Sequence, residues 1–195
     1  KKYLTERVDF ATFSSHKFHG VRGVGFVYIK SGKKITPLLT GGGQECDYRS
    51  TTENVAGIAA TAKALRLSME KLDIFTSKTG QMKTVIRQAL LDYPDIFVFS
   101  DEEDFAPHIL TFGIKGVRGE VIVHAFEDYD IFISTTSACS SKAGKPAGTL
   151  IAMGVDKDKA QSAVRLSLDL ENDMSQVEQF LTKLKLIYNQ TRKVR

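Results

Sequence analysis

A mixed α/β chain built in two parts is what the sequence predicts, on three observations. Up to about residue 75 the chain is glycine-rich and holds one long stretch of helical periodicity. Beyond it, short apolar runs of strand character alternate with amphipathic helices, the α+β pattern. The length of 195 residues, with 42 % hydrophobic content, suffices for one ordinary domain, or for one domain plus part of another. The expected division is therefore 1–75 and 76–195.

Each element follows from local chemistry. Val8 to Phe13 and Gly25 to Lys30 read as strands flanking a glycine-punctuated turn. Ile35 to Leu39 is expected as a further short extended piece, and Gly41-Gly42-Gly43 as a loop. Ser50-x-x-Glu53 has the form of a capping box, and a helix follows with Val55, Ile58, Ala59, Ala62, Leu65, Met69 and Leu72 at helical spacing. A second helix is expected from about Ser77 to Leu91, ended by Tyr93-Pro94-Asp95. Ile96 to Phe99 and His108 to Gly113 read as strands around an acidic turn at 101–104. A short helix over Val117 to Phe126 and a strand at Ile131 to Ile133 come next. Two short helices, Thr149 to Met153 and Lys157 to Ser162, precede a strand from Ala163 to Leu168 with Arg165 and Ser167 on one face. Val177, Phe180, Leu181, Leu184 and Ile187 mark a closing helix.

Composition excludes several classes. The net charge of +4 is spread along the chain apart from Thr191 to Arg195, which reads as a solvated end, so no nucleic-acid surface is expected. No apolar run is long enough for a membrane span and no signal peptide is visible, which points to a cytoplasmic protein. The two cysteines, Cys46 and Cys139, lie far apart, and neither has a second Cys or His at ligand spacing. Neither a disulfide nor a metal site is predicted.

Two stretches carry chemistry. In Ser14-Ser15-His16-Lys17-Phe18-His19-Gly20, a lysine stands among hydroxyls and before a glycine turn. That setting suits an amine that meets a phosphate-bearing aldehyde: hydroxyls for the phosphate, glycine for close backbone approach, and an amine open to pKa tuning. Arg49 to Thr52 brings hydroxyls and free amides to a helix N-terminus, which serves as a cap or as an anion site. In the second stretch, Cys139 sits in a long polar loop from Ser134 to Pro146 with Lys142 nearby. A thiol there is either incidental or ionisable and mobile.

Taken in order, Ser-Ser-His-Lys-Phe-His-Gly, Gly-Gly-Gly-Gln-Glu, Arg-Ser-x-Thr-Glu-Asn, Ser-Ala-Cys-Ser-Ser and Val-Arg-Leu-Ser-Leu resemble the carboxy-terminal half of NifS-like cysteine desulfurases, pyridoxal-phosphate enzymes among the class V aminotransferases. The resemblance covers essentially the whole chain. It implies part of a fold-type-I transferase: the end of the large α/β domain, then the small α+β domain. It also implies the following roles. Lys17 binds pyridoxal 5'-phosphate covalently and shuttles protons, and Ser14 and His16 surround the phosphate. Thr52 reaches the cofactor phosphate of a partner subunit, which makes a homodimer. Cys139 takes sulfur from substrate L-cysteine as a persulfide and passes it to an acceptor protein, leaving L-alanine. Arg165 clamps the substrate carboxylate with its planar fork. An inactive remnant or interaction module of the family, and a class V aminotransferase proper, are the alternatives.

Departures from the family pattern are Val21-Arg22-Gly23 for the usual Pro-Lys-Gly, Thr51 and Thr136 where glycine is usual, and Asp169-Leu170 for Gly-Arg. The two threonines bear on the backbone near the phosphate and at the cysteine loop. The family's amino-terminal half, with the ring that stacks on the cofactor and the aspartate that pairs with its pyridine nitrogen, has no counterpart in this sequence. It is expected either to be missing or to be supplied by another chain, and this polypeptide alone is expected to bind the cofactor weakly.

Overall fold

The computed structural model describes residues 6–100, 105–135 and 148–193. The acidic turn at 101–104, most of the cysteine loop including Thr136, Cys139 and Lys142, and the last two residues lie outside them. The chain divides into two compact units, Lys1–Leu72 and Asp73–Arg195.

The first unit is a hairpin and a helix. Strand β1 (Phe10–Ser14) pairs antiparallel with β2 (Gly25–Ile29), in a register that sets Ser14 opposite Gly25 and Phe10 opposite Ile29. Phe13 stacks on Phe26 with ring centroids 4.7 Å apart, a cross-strand aromatic pair that helps hold this register. A single 3-10 turn, Ser15–Phe18, follows β1 directly. The segment from Ile35 to Leu39 is not a strand. Pro37 has no N–H for a ladder, and Leu38 is 94 % exposed.

Helix α1 spans Val55–Glu70. Its cap is Asn54, whose side-chain oxygen accepts from the Gly57 N–H at 3.0 Å, and not the expected box of Ser50 and Glu53. Ser50 lies too far ahead of the first helical residue to reach an N-terminal amide. Replacing Asn54 with alanine is expected to cost about 1 kcal/mol, read as a lower unfolding midpoint with loss of helical circular dichroism. The helix periodicity was legible, but the stripe stays largely in solvent: Val55 is 72 % and Met69 52 % exposed. What α1 buries instead is Gly57 and Thr61.

The second unit is a four-stranded antiparallel sheet with helices. Helix α2 starts at Leu72, earlier than the periodicity from Ser77 predicts, and runs to Leu91. Strands β3 (Ile96–Val98), β4 (Ile109–Ile114), β5 (Ser134–Thr135) and β6 (Val164–Ser167) lie in the order β3-β4-β6-β5. Helices α3 (Gly119–Glu127), α4 (Gly148–Ala152), α5 (Lys157–Gln161) and α6 (Met174–Lys193) complete it. Strand pairing to β6 falls on Ser134 and Thr135, and not on Ile131 to Ile133. The side chains of Ile131 and Ile133 pack against the core from irregular backbone, so apolarity there marks burial and not a ladder.

One sheet face makes the core. Leu110, Phe112 and Ile114 on β4 and Val164 and Leu166 on β6 alternate inward, all at 8 % exposure or less. They meet Met82, Ile86 and Leu90 of α2, Ile122 and Phe126 of α3, and Phe180, Leu184 and Ile187 of α6. Phe126 stacks on Phe180 at 4.9 Å, and Phe112 stands edge-on to Phe180 at 6.2 Å. Burial of this apolar surface is what holds the unit together.

His108, just before β4, lies 5.1 Å from the Phe75 ring, and its Nδ1 is buried without a hydrogen-bond partner among the described residues. Burial holds it below the ordinary histidine value of 6.5; the Asp169 carboxylate opposes that and the Lys83 ammonium adds to it. The unfolded chain therefore binds the proton more readily. Stability contributed by neutral His108 is complete above 6.5 and is lost as pH falls through the lower folded value. Denaturant midpoints measured on either side of 6.5 are expected to fall on acidification, and His108→Gln is expected to flatten that fall.

Candidate active site

The Lys17 turn is built by its neighbours. Ser14 ends β1 in extended conformation, and its hydroxyl makes no capping bond. Ser15 turns inward and is fully buried, while His16 and Lys17 are exposed. His19 closes the turn in the left-handed region at φ 64°, a conformation rare outside glycine and asparagine. The Gly20 N–H then returns to the Ser15 carbonyl at 2.9 Å, and the Ser15 N–H reaches the Val24 carbonyl at 3.0 Å. A side chain at Gly20 would place its Cβ 1.9 Å from Ser15 Oγ, and one at Gly25 would meet the Phe13 carbonyl at 2.3 Å. Glycine at both positions is a steric requirement. The result is an anchored backbone with an exposed lysine on it.

Thr52 is exposed in irregular backbone two residues before the Asn54 cap. Thr51 does not stand at positive φ, so its replacement of glycine costs no left-handed strain. Upstream, Glu45, Cys46 and Asp47 adopt φ of 51°, 55° and 67° in succession. The turn is closed by the Asp47 N–H on the Gly43 carbonyl at 3.2 Å. The triple-glycine segment is thus the entry to a left-handed turn, a conformation that costs L-residues about 1–2 kcal/mol each. Cys46 is a free, exposed thiol.

In the second unit, Arg165 sits mid-β6 between Thr111 of β4 and Ser134 of β5, its register partners on either side. It alternates with Val164 and Leu166, so it points away from the helical core. Its Nε is buried and has no hydrogen-bond partner among the described residues. A buried guanidinium N–H without a partner suits an anionic ligand. Cys139 lies outside the described residues, on the segment that follows β5. Among the described residues no group of His, Cys, Asp and Glu could hold a metal ion, and no helix is long and apolar enough to cross a membrane.

The sequence alone assigns no role to Ser15 in the Lys17 turn or to Thr61 on α1. The structure joins them: the Thr61 hydroxyl lies 2.9 Å from Ser15 Oγ and 2.8 Å from the Gly57 carbonyl. The available signal was a threonine four residues after a helical glycine, where its hydroxyl can bond back to the carbonyl.

Comparison with known proteins agrees with these motifs. The class-V aminotransferase profile matches residues 5–180. A "NifS/IcsS protein homolog" of Lactobacillus delbrueckii subsp. bulgaricus is 48 % identical over 192 residues, covering 98 % of this chain and 50 % of its own length. A Clostridium botulinum "Cysteine desulfurase IscS" is 34 % identical over 190 residues, covering 96 % of this chain and 48 % of its own. The structure of a NifS-like protein from Rickettsia africae superposes with a TM-score of 0.82 at 28 % identity, over 93 % of this chain and 48 % of that one. The chain spans about half the length of the curated relatives it matches. With the profile match running from the first strand into the last helix, the chain belongs to the class-V aminotransferase family.

Proposed function

We propose that this chain is the carboxy-terminal part of a cysteine desulfurase. The observation that carries the proposal is the Lys17 turn: an exposed amine on a backbone anchored by Ser15, Gly20 and Val24. In this reading Lys17 holds pyridoxal 5'-phosphate, with Ser14, His16 and, across a homodimer, Thr52 around the phosphate. The cofactor, when bound, supplies the electron sink that weakens bonds at the substrate α-carbon. Lys17 would move protons at that carbon. Arg165 orients L-cysteine through its carboxylate. The Cys139 thiolate attacks the substrate sulfur: the C–S bond breaks, an S–S bond forms on Cys139, and the carbon is protonated to leave L-alanine. The persulfide sulfur then goes to an acceptor protein of iron–sulfur cluster assembly or thiolation in the cytoplasm.

The same reading places a complementary amino-terminal half in the working enzyme, supplied with this chain or by another. Its division of labour is a large cofactor-binding domain ending near residue 75 and a small domain over 76–195. The test is to purify the chain with and without that half, add pyridoxal phosphate and L-cysteine, and measure alanine release, intact mass and visible spectrum. Alanine together with a mass gain of one sulfur on Cys139 supports the reading. An assembled protein that binds the cofactor but yields neither product overturns it.

A further inference from the structure

We propose that the buried hydroxyl pair Ser15–Thr61 is a clamp that positions Lys17, with Thr61 as a positioning residue for the amine. The proposal rests on the reading of Lys17 as the cofactor lysine. Thr61 sits on α1 and is 6 % exposed, and Ser15, two residues before Lys17, is fully buried. Thr61 has one hydroxyl proton and two oxygen neighbours, Ser15 Oγ at 2.9 Å and the Gly57 carbonyl at 2.8 Å. A carbonyl can only accept, so Thr61 donates to Gly57 and accepts from the Ser15 hydroxyl. The chain Ser15–Thr61–Gly57 is then fully satisfied, with one direction of donation throughout.

The clamp sits at the meeting point of the contacts that shape the turn. Ser15 also bonds Val24 through its N–H and Gly20 through its carbonyl. Ser68, further along α1, adds a hydroxyl bond to the Phe18 carbonyl at 3.3 Å, so α1 holds the turn on both sides of Lys17. Space is matched to this arrangement. A Cβ at Gly57 would come within 2.6 Å of Val24 Cγ2, and one at Gly20 would collide with Ser15 Oγ. Neither hydroxyl is needed to fill a cap or a turn: α1 is capped by Asn54, and the turn closes through backbone. What the pair contributes is a fixed distance between the helix and the backbone that carries Lys17. A lysine that swings between a cofactor and a substrate proton needs a backbone that does not move with it.

The energetics of buried hydroxyls make the test asymmetric. Thr61→Val keeps the shape but leaves the Ser15 hydroxyl buried with no acceptor. Ser15→Ala leaves Thr61 still donating to Gly57. The double variant removes both groups, which restores a satisfied, apolar contact. The chain, assembled with its complementary amino-terminal half, is incubated with pyridoxal phosphate across a pH series, reduced with borohydride, and the adduct at Lys17 is quantified by peptide mass spectrometry. Hydrogen exchange of the 14–25 segment is followed on the same samples.

Thr61→Val is expected to lower Lys17 labelling about tenfold and to speed exchange of 14–25 by a similar factor. Ser15→Ala should change both about twofold, and Thr61→Ser and the double variant should return both to within about threefold of wild type. Unchanged exchange and labelling in Thr61→Val, or a loss that Thr61→Ser does not repair, overturns the clamp. If wild type is labelled at no particular lysine, the cofactor reading of Lys17 fails; the clamp is then judged by the exchange series, which uses no cofactor.

Discussion

Replacing Lys17 with alanine is expected to abolish the borohydride-fixed cofactor adduct and to cut cysteine turnover by more than about 10³ in the enzyme assembled with its complementary half. Two losses combine. In the proposed function the amine is the covalent anchor and also the base and acid at the substrate α-carbon, a role that contributes about 10²–10⁴ by itself. Structure should be spared. Lys17 is exposed on its turn, and the Ser15, Gly20 and Val24 contacts are made by other residues. The variant should therefore keep the wild-type unfolding free energy within about 0.5 kcal/mol. Lys17→Arg separates charge from chemistry, since a guanidinium keeps the positive charge but offers neither an amine for capture nor a base. A Lys17→Ala protein that still turns over cysteine at a tenth of the wild-type rate would remove Lys17 from the chemistry.

Arg165→Met should have opposite effects on binding and on stability. The Arg165 Nε is buried between β4 and β5 with no hydrogen-bond partner among the described residues, and an unpaired buried donor costs about 1–3 kcal/mol. Methionine keeps much of the aliphatic stem and removes that donor. The free protein is expected to be as stable as wild type or more stable by about 1 kcal/mol. In the proposed function the substrate carboxylate, by contrast, loses its charged fork. Truncating one side of such a pair costs about 2–5 kcal/mol, so KM for cysteine should rise by about 10²-fold or more, with a smaller change in kcat. Arg165→Lys should fall between the two, because an ammonium keeps the charge but not the bidentate geometry. Urea titration of the free protein and steady-state kinetics of the assembled enzyme give the two readouts. A variant that unfolds more readily while its KM is unchanged would mark Arg165 as a structural residue.

These two residues show what kind of information the sequence carried. Lys17 stood out because hydroxyls and glycines surround an amine, whereas Arg165 was singled out by the family resemblance of its Val-Arg-Leu-Ser-Leu run, and alternation marked only the strand that carries it. The profile match over residues 5–180 agrees with the family those runs suggested. The helices α1, α2, α3 and α6 were legible because a 3.6-residue period survives in composition alone. The Asn54 cap, the start of α2 and the move of strand pairing from Ile131–Ile133 to Ser134–Thr135 were not. Each depends on which backbone amide lies within reach of a particular oxygen, and that is set by the path of the chain.

By itself, then, the sequence determined the class of the fold, the order of its elements and the residue types with chemical capacity. Side-chain spacing and composition act locally, and they are written residue by residue. Only the tertiary structure decided that Ser15 faces inward to Thr61, 46 positions away, while its neighbours His16 and Lys17 face solvent. Two serines in a row look alike in a sequence. Burial and a hydroxyl partner distinguish them, because a polar group taken out of water must find its hydrogen bond elsewhere in the folded chain.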